Sequence, residues 1–328
     1  MTGFRDRLFT CTQQLMAEPL AYVPCREAAF ALKDLFEEAV DFDETPATIS
    51  HIETDRGRAV STVSAAICII DYMRTRVFLQ GIAEAIAHVR SQHPERPVRI
   101  LYAGCGPFAT LLTPLTTLFS PEEFMAQLLD LNEISIGLLR KTIHAFGMQD
   151  YVHSIIHADA TQYKVPDDFI PDMIISETML QALVREPIVN IYANLAPQCP
   201  DAIMIPEQVN VSVALYTNPY DNGHHYQLLA TLLSLSADSG RLFNQPDQCP
   251  AIFQQGVVVN VPARYDERFK RLLLLTDLTI YKQHRLEVNE SSLTLPYSMN
   301  QHMGINDFPS RILFRYVRGP VPGFVFEC

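Results

Sequence analysis

Three stretches of the chain hold residue types that do chemistry at the edge of a sheet. The first is Ile100-Leu101-Tyr102-Ala103-Gly104-Cys105-Gly106-Pro107-Phe108-Ala109, an apolar run that ends in two glycines. Glycine allows a tight turn and lets backbone approach a ligand closely. A helix starting just beyond would add unsatisfied N–H groups and partial positive charge. The second is Leu128-Leu129-Asp130-Leu131-Asn132, where a carboxylate ends the next apolar run and can accept hydrogen bonds from both hydroxyls of a ribose. The third is His157-Ala158-Asp159-Ala160, whose carboxylate can take the exocyclic amine of an adenine. Asp130 and Asn132 would equally serve as helix N-caps.

Two enzyme classes place a ligand on such an edge. One binds a dinucleotide through a glycine pattern that Gly104-x-Gly106-x-x-Ala109 formally fits. The other binds S-adenosyl-L-methionine (SAM) through an acidic-x-Gly-x-Gly-x-Gly turn, in which Tyr102 stands at the acidic position and Phe108 at the third glycine. Asp130 follows Gly104 by 26 residues, against about 20 in the dinucleotide pattern, so Ser120-Pro121-Glu122-Glu123 reads as an insertion.

The elements that must position these residues follow from periodicity and breakers. Residues 5–92 read as helical, with Glu27–Val40 amphipathic and Ser61–Arg90 a long helix or helix pair. The His93-Pro94-Glu95-Arg96-Pro97 stretch ends helix, because proline lacks a donor and clashes with the preceding turn. Residues 98–207 alternate strand and helix. Val98–Ala103, Phe124–Leu131, Val152–Ala158, Met173–Ser176 and Ala202–Ile205 are the strands; Phe108–Leu118 and Ser135–Phe146 are the helices, the latter stopped by Gly147. Such alternation predicts a mostly parallel sheet flanked by helices. Beyond 208 the pattern favours strands (Val209–Leu215, Gly256–Val261, Leu272–Tyr281, Arg311–Val317), with a helix expected near Tyr226–Leu235.

Two further patterns point to a family. On the helix before the first strand stands Asp71-x-x-Arg74-Thr75-x-x-Phe78-x-x-Gly81-Ile82, and after the fourth strand Ser176-Glu177-x-Met179-x-x-x-Leu183-x-x-Glu186. Both resemble motifs of the protein arginine methyltransferases, class I SAM-dependent enzymes, and the resemblance covers roughly residues 71–207. Ile205-Pro206-Glu207 also resembles the end of that family's fifth strand. The resemblance implies a Rossmann-like α/β cofactor domain (96–207), preceded by a helical cap (1–95) and followed by a β-rich, barrel- or sandwich-like domain (208–328). It implies SAM as cofactor, met by Arg74, Ala103, Gly104, Gly106, Asp130, Asp159 and Ala160, with the Arg74 guanidinium on the methionine carboxylate. It implies that Glu177 and Glu186 are catalytic and grip a cationic acceptor, a guanidinium or amine of a protein arginine or a small metabolite. A homodimer is a further implication. The chain departs from the family in having no tryptophan, so the family's Thr-His-Trp loop is absent. An NAD-dependent oxidoreductase and a non-catalytic methyltransferase-like scaffold stand as alternatives.

Composition bounds these readings. The chain has 328 residues and a formal charge of -12, with 48% hydrophobic residues, enough to bury a substantial core. The acidic balance argues against nucleic acid or an anionic membrane as partner and favours a basic small-molecule or peptide substrate. Seven cysteines, none in a CxxC spacing, fit a reducing, cytoplasmic setting without a disulfide framework. No signal peptide or membrane-spanning stretch is evident. No metal site is expected: His153 and His157 fall on a strand, where positions four apart are about 13 Å from one another. Tyr220, His224, His225 and Tyr226 read as part of a solvated loop.

Overall fold

The computed structural model describes residues 3–217, 225–298 and 308–328. Two helices open the chain, α1 (Phe4–Met16) and α2 (Tyr22–Val40). On α2, Cys25, Ala28, Ala29, Leu32, Leu35, Phe36 and Val40 recur at three- and four-residue spacing, and all are buried. A hairpin follows, β1 (Ile52–Thr54) paired with β2 (Gly57–Ala59), then α3 (Thr62–Ile67) and α4 (Tyr72–Gln92). Asp71 caps α4, its carboxylate accepting the Arg74 N–H at 3.3 Å. The helix ends at His93, ahead of the two prolines. The hairpin interrupts the helical segment expected over residues 5–92.

The central sheet contains β3 (Val98–Ala103), β4 (Phe124–Asp130), β5 (Val152–His157), β6 (Met173–Ile175) and β7 (Ile203–Ile205), in the order β5-β4-β3-β6-β7. Every pairing is parallel. The near-continuous apolar runs follow from that, since helices cover both faces of a parallel sheet. Connections from β3 run first to one side and then, at β6, to the other; ligands of open parallel sheets bind at such a reversal, outside the carboxyl ends of the strands. Between β4 and β5 lies α5 (Glu133–Ala145), capped by the Asn132 side chain on the N–H groups of Ile134 and Ser135 and ended by Gly147 at φ 65°. A further helix, α6 (Ile188–Leu195), precedes β7.

The remaining chain forms two antiparallel sheets. One has the order β12 (His284–Leu286), β11 (Phe269–Tyr281), β8 (Gln208–Thr217), β9 (Tyr226–Ser236), with β13 (Tyr297–Ser298) on β11; the other runs β10 (Val257–Asn260), β14 (Arg311–Val317), β15 (Gly323–Glu327). One short helix, α7 (Ala237–Leu242), follows β9. The fold is thus a helical segment, a Rossmann-like parallel sheet and a β-rich C-terminal part. No helix among the described residues is long and apolar enough to cross a membrane.

Two local expectations fail. Tyr226–Leu235 is a strand, paired along its length with β8, so cross-strand pairing overrides the helical preference of its leucines and alanine. Phe108–Leu118 is a series of turns ending in a 3-10 turn at Pro114–Thr117. Its threonines compete with helix by bonding backbone: Thr113 donates to the Phe108 carbonyl at 2.5 Å and Thr116 to that of Thr113 at 2.7 Å. Ala109, at φ 42°, lies outside helical geometry.

Candidate active site

The carboxyl ends of β3, β4, β5 and β6 open onto one cavity of about 370 Å³, within the roughly 300–1,000 Å³ of small-ligand pockets. Its floor is the glycine turn. Gly104 and Gly106 take φ of 79° and 64°, a region that disfavours other residues. A Cβ on Gly104 would stand 2.4 Å from the Thr178 methyl. The turn's N–H groups are engaged internally: Gly104 and Cys105 donate to the Leu129 carbonyl, and Gly106 donates to the Asp130 carboxylate at 2.8 Å. The expected helix N-terminus is missing, so the turn presents no helix dipole, and its Gly104, Cys105 and Gly106 N–H groups are already engaged.

Asp130 is 8% exposed and lines the cavity. Its oxygens accept from Gly106 and, at 2.8 Å, from Asn132. Burial raises its pKa, and the two backbone donors hold part of that rise back. Asp159 accepts from Thr161 and Gln162 and lines the cavity together with Ala160. Ala103 is fully buried behind the turn and is not among the residues that line the cavity. His153 and His157 both sit on β5; His153 stacks on Phe169 at 4.5 Å, and the His157 Nε2 meets the Leu131 carbonyl at 2.9 Å. No cluster of metal-ligating residues occurs among the described residues.

The fourth strand delivers Glu177 into the cavity, and α4 delivers Arg74 opposite it. Arg74 Nη2 donates to Glu177 Oε2, with both side chains 10% exposed. Burial opposes the charge of Arg74, but Cys68 and the Glu177 carboxylate outweigh it and raise the pKa. Burial likewise raises Glu177, countered by the Arg74 guanidinium. The other oxygen, Glu177 Oε1, is buried without a hydrogen-bond partner, a state that polar atoms rarely tolerate.

Glu186 lines the same cavity, 6% exposed. Burial, then repulsion from Glu177, pushes its pKa up to about 8. The loop that carries it is bent sharply: Ala182, Leu183 and Arg185 have φ of 54°, 53° and 68°. Such conformations persist only where the surroundings over-determine them. Here the C-terminal sheets hold the loop. Thr276 accepts the Ala182 N–H at 2.8 Å, the Tyr316 hydroxyl donates to the Leu183 carbonyl at 2.6 Å, and the Arg185 N–H donates to the Pro322 carbonyl at 2.7 Å. Ser176 starts this loop and caps no helix.

No protein-family model matches the sequence, and no curated protein does. Solved structures match by shape. The protein arginine methyltransferase 1 enzyme–prozyme complex of Trypanosoma brucei, a heterotetramer solved with S-adenosylhomocysteine, gives a TM-score of 0.52 at 15% identity, over 76% of this chain and 85% of that one. Protein arginine methyltransferase 10 of Arabidopsis thaliana, in an open conformation, gives 0.51 at 11% identity, over 75% and 85%. The fold is similar to that of the protein arginine methyltransferases.

Two departures from the methyltransferase turn sequence now have physical readings. Phe108 is fully buried against Phe36 and Phe42, with ring centroids 5.1 and 5.9 Å apart, and so fills core beneath α2 without entering the cavity. Tyr102 does line the cavity, its hydroxyl pKa raised by burial and then by the Glu177 charge. The hairpin β1–β2 also reaches the cavity, through Thr54, Gly57 and Arg58. Sequence reasoning passed over it; the Asp55-Arg56-Gly57 turn between short polar strands was the available signal. Tyr220 and His224 lie outside the described residues; His225 and Tyr226 are exposed and absent from the cavity wall.

Proposed function

We infer that this chain is a SAM-dependent N-methyltransferase that acts on a guanidinium or amine. The observation that carries the reading is one cavity that joins the glycine turn, Asp130 and Asp159 to Glu177 and Glu186, with Arg74 between the two halves. The internal engagement of the turn's N–H groups favours SAM over a dinucleotide, whose pyrophosphate needs free donors at a helix N-terminus.

The residues present fit the cofactor. Gly104 and Gly106 allow close approach, Asp130 and Asp159 offer carboxylate oxygens to hydroxyl and amine groups, and Arg74 retains donors beyond the one given to Glu177. SAM, when bound, supplies an electrophilic methyl group. Glu177 Oε1 and the Glu186 carboxylate would hold the acceptor by charge-assisted hydrogen bonds and orient its nitrogen. Burial raises the pKa of Glu177, and the Arg74 guanidinium opposes that rise by favouring the carboxylate form. A cation between the carboxylates would favour ionised Glu186, which then accepts the proton lost from the acceptor nitrogen.

This reading divides the chain into a cap (1–95), a cofactor domain (96–207) and a β-rich domain (208–328) that braces the Glu186 loop. Seven unbridged cysteines accord with a cytoplasmic setting. A homodimer accords with the oligomeric assembly of the trypanosomal relative. The test is formation of S-adenosylhomocysteine from SAM with guanidinium and amine acceptors. Glu177→Gln should lower turnover by about 100-fold or more while S-adenosylhomocysteine still binds. Full activity in that variant removes Glu177 from the mechanism.

A further inference from the structure

The acceptor half of the cavity contains an arginine that the proposed chemistry does not use. Arg58 stands on β2 and lines the cavity, and its Nε is buried without a hydrogen-bond partner. Its charge acts on Glu186, yet the two side chains form no ion pair. Groups of both signs therefore line one cavity: Glu177, whose Oε1 is unpartnered, and Glu186, together with Arg58, whose Nε is unpartnered. A hydrogen bond left unmade in a buried site is costly, and a ligand that satisfies all three must itself carry both signs.

The hairpin that presents Arg58 is fixed in place. The Arg58 N–H donates to the Arg185 carbonyl at 2.8 Å, Arg56 Nη1 to the Thr161 carbonyl at 3.1 Å, and Asn190 Nδ2 to the Arg56 carbonyl at 2.7 Å. Gly57 lies so close to the Glu186 loop that an added Cβ would meet Pro187 at 3.0 Å. The hairpin thus walls the cavity beside Glu186. His51 lines the cavity at the start of this segment, its Nδ1 accepting the Ser61 N–H at 2.9 Å, which leaves Nε2 as the donor nitrogen of the neutral ring.

We propose that the acceptor is a small amphoteric molecule, with its guanidinium or amine held by Glu177 and Glu186 and a carboxylate held by Arg58. The argument rests on the methyltransferase reading above. Arg74 already pairs with Glu177, which leaves Arg58 as the cation in this half of the cavity for an anionic group on the guest. A purely cationic side chain, such as a peptide arginine, would set another cation beside Arg58 and leave that guanidinium unmet. Arg58 suits the task because its planar fork meets a carboxylate with two parallel hydrogen bonds.

The test is calorimetric titration of the full chain saturated with S-adenosylhomocysteine. The ligands are three carboxylates and their decarboxylated partners: L-arginine with agmatine, L-lysine with cadaverine, guanidinoacetate with methylguanidine. A glycine–arginine-rich peptide is titrated alongside. At least one carboxylate should bind about tenfold or more tightly than its partner. Arg58→Gln should abolish that difference, and Arg58→Lys, which keeps the charge and loses the fork, should leave part of it. Binding of S-adenosylhomocysteine by each variant reports that it is folded. Equal affinity within every pair, discrimination that survives Arg58→Gln, tightest binding by the peptide, or binding by none of the carboxylates would each overturn the proposal. If the wild-type chain takes up no S-adenosylhomocysteine, the methyltransferase reading itself fails.

Discussion

The guanidinium of Arg74 and the carboxylate of Glu177 form an ion pair across the cavity, from α4 to the loop after β6, with each side chain 10% exposed. The pair ties the helix assigned to the cofactor to the residue assigned to the acceptor. Arg74→Ala should leave Glu177 buried and uncompensated, a loss of about 3–5 kcal/mol. Replacing both by methionine should recover most of that loss, because it removes both buried charges together. Urea unfolding of the single and double variants measures this; a single variant as stable as wild type would mean that the pair does not form in solution.

Close approach at the glycine turn makes a second prediction. Gly104→Ala places a methyl 2.4 Å from the Thr178 Cγ2 and forces a φ of 79° on a residue with a Cβ. Stability should fall by about 1–3 kcal/mol. Thr178→Ser removes the clashing methyl, so the double variant should regain part of the loss and keep the backbone component. No recovery in thermal unfolding would show that Thr178 does not pack there.

Glu186 gives a pH dependence of unusual sign for an acid. Folded, its pKa is pushed up to about 8, while an exposed glutamate titrates near 4.5. Between those values the folded chain binds the extra proton, so this group's contribution to stability falls as pH rises from about 4.5 to about 8. Glu186→Gln removes the effect. Its stability relative to wild type should be greater at pH 9 than at pH 6, read by urea unfolding without ligand. Glu177, Arg74 and Arg58 all face this carboxylate and act on its charge. A difference that is flat with pH would place the carboxylate in water.

Asp130 unites two jobs. It accepts the N–H groups of Gly106 and Asn132, each at 2.8 Å, and it lines the cavity. Asp130→Ala orphans two buried donors, at a cost of about 1–3 kcal/mol each, and should weaken S-adenosylhomocysteine by about tenfold or more. Unfolding and calorimetry together separate the two effects; unchanged affinity in a folded variant would remove Asp130 from the cofactor site.

Much of this site is legible in the sequence. The apolar runs that become β3 to β7 could be read because a parallel sheet buried on both faces leaves a continuous signal. The order of glycine turn, Asp130, Asp159 and Glu177 followed from those runs, since each sits at a strand's carboxyl end. Three features were not legible. The segment after Gly106 carries a helical spacing of apolar residues, yet Thr113, Thr116 and Pro114 turn it away from helix through bonds visible only in three dimensions. Strand β9 has a leucine-rich sequence whose conformation is set by β8 alongside it. The hairpin with Arg58 is held by bonds to Arg185 and Thr161, far along the chain, and its own strands are three residues each.

The most direct measurement of the central claim is calorimetric titration of the wild-type chain with S-adenosylhomocysteine and, separately, with NADH. The account predicts that S-adenosylhomocysteine binds at one equivalent and NADH gives no binding heat. Absence of S-adenosylhomocysteine binding, or binding of NADH in its place, would contradict it.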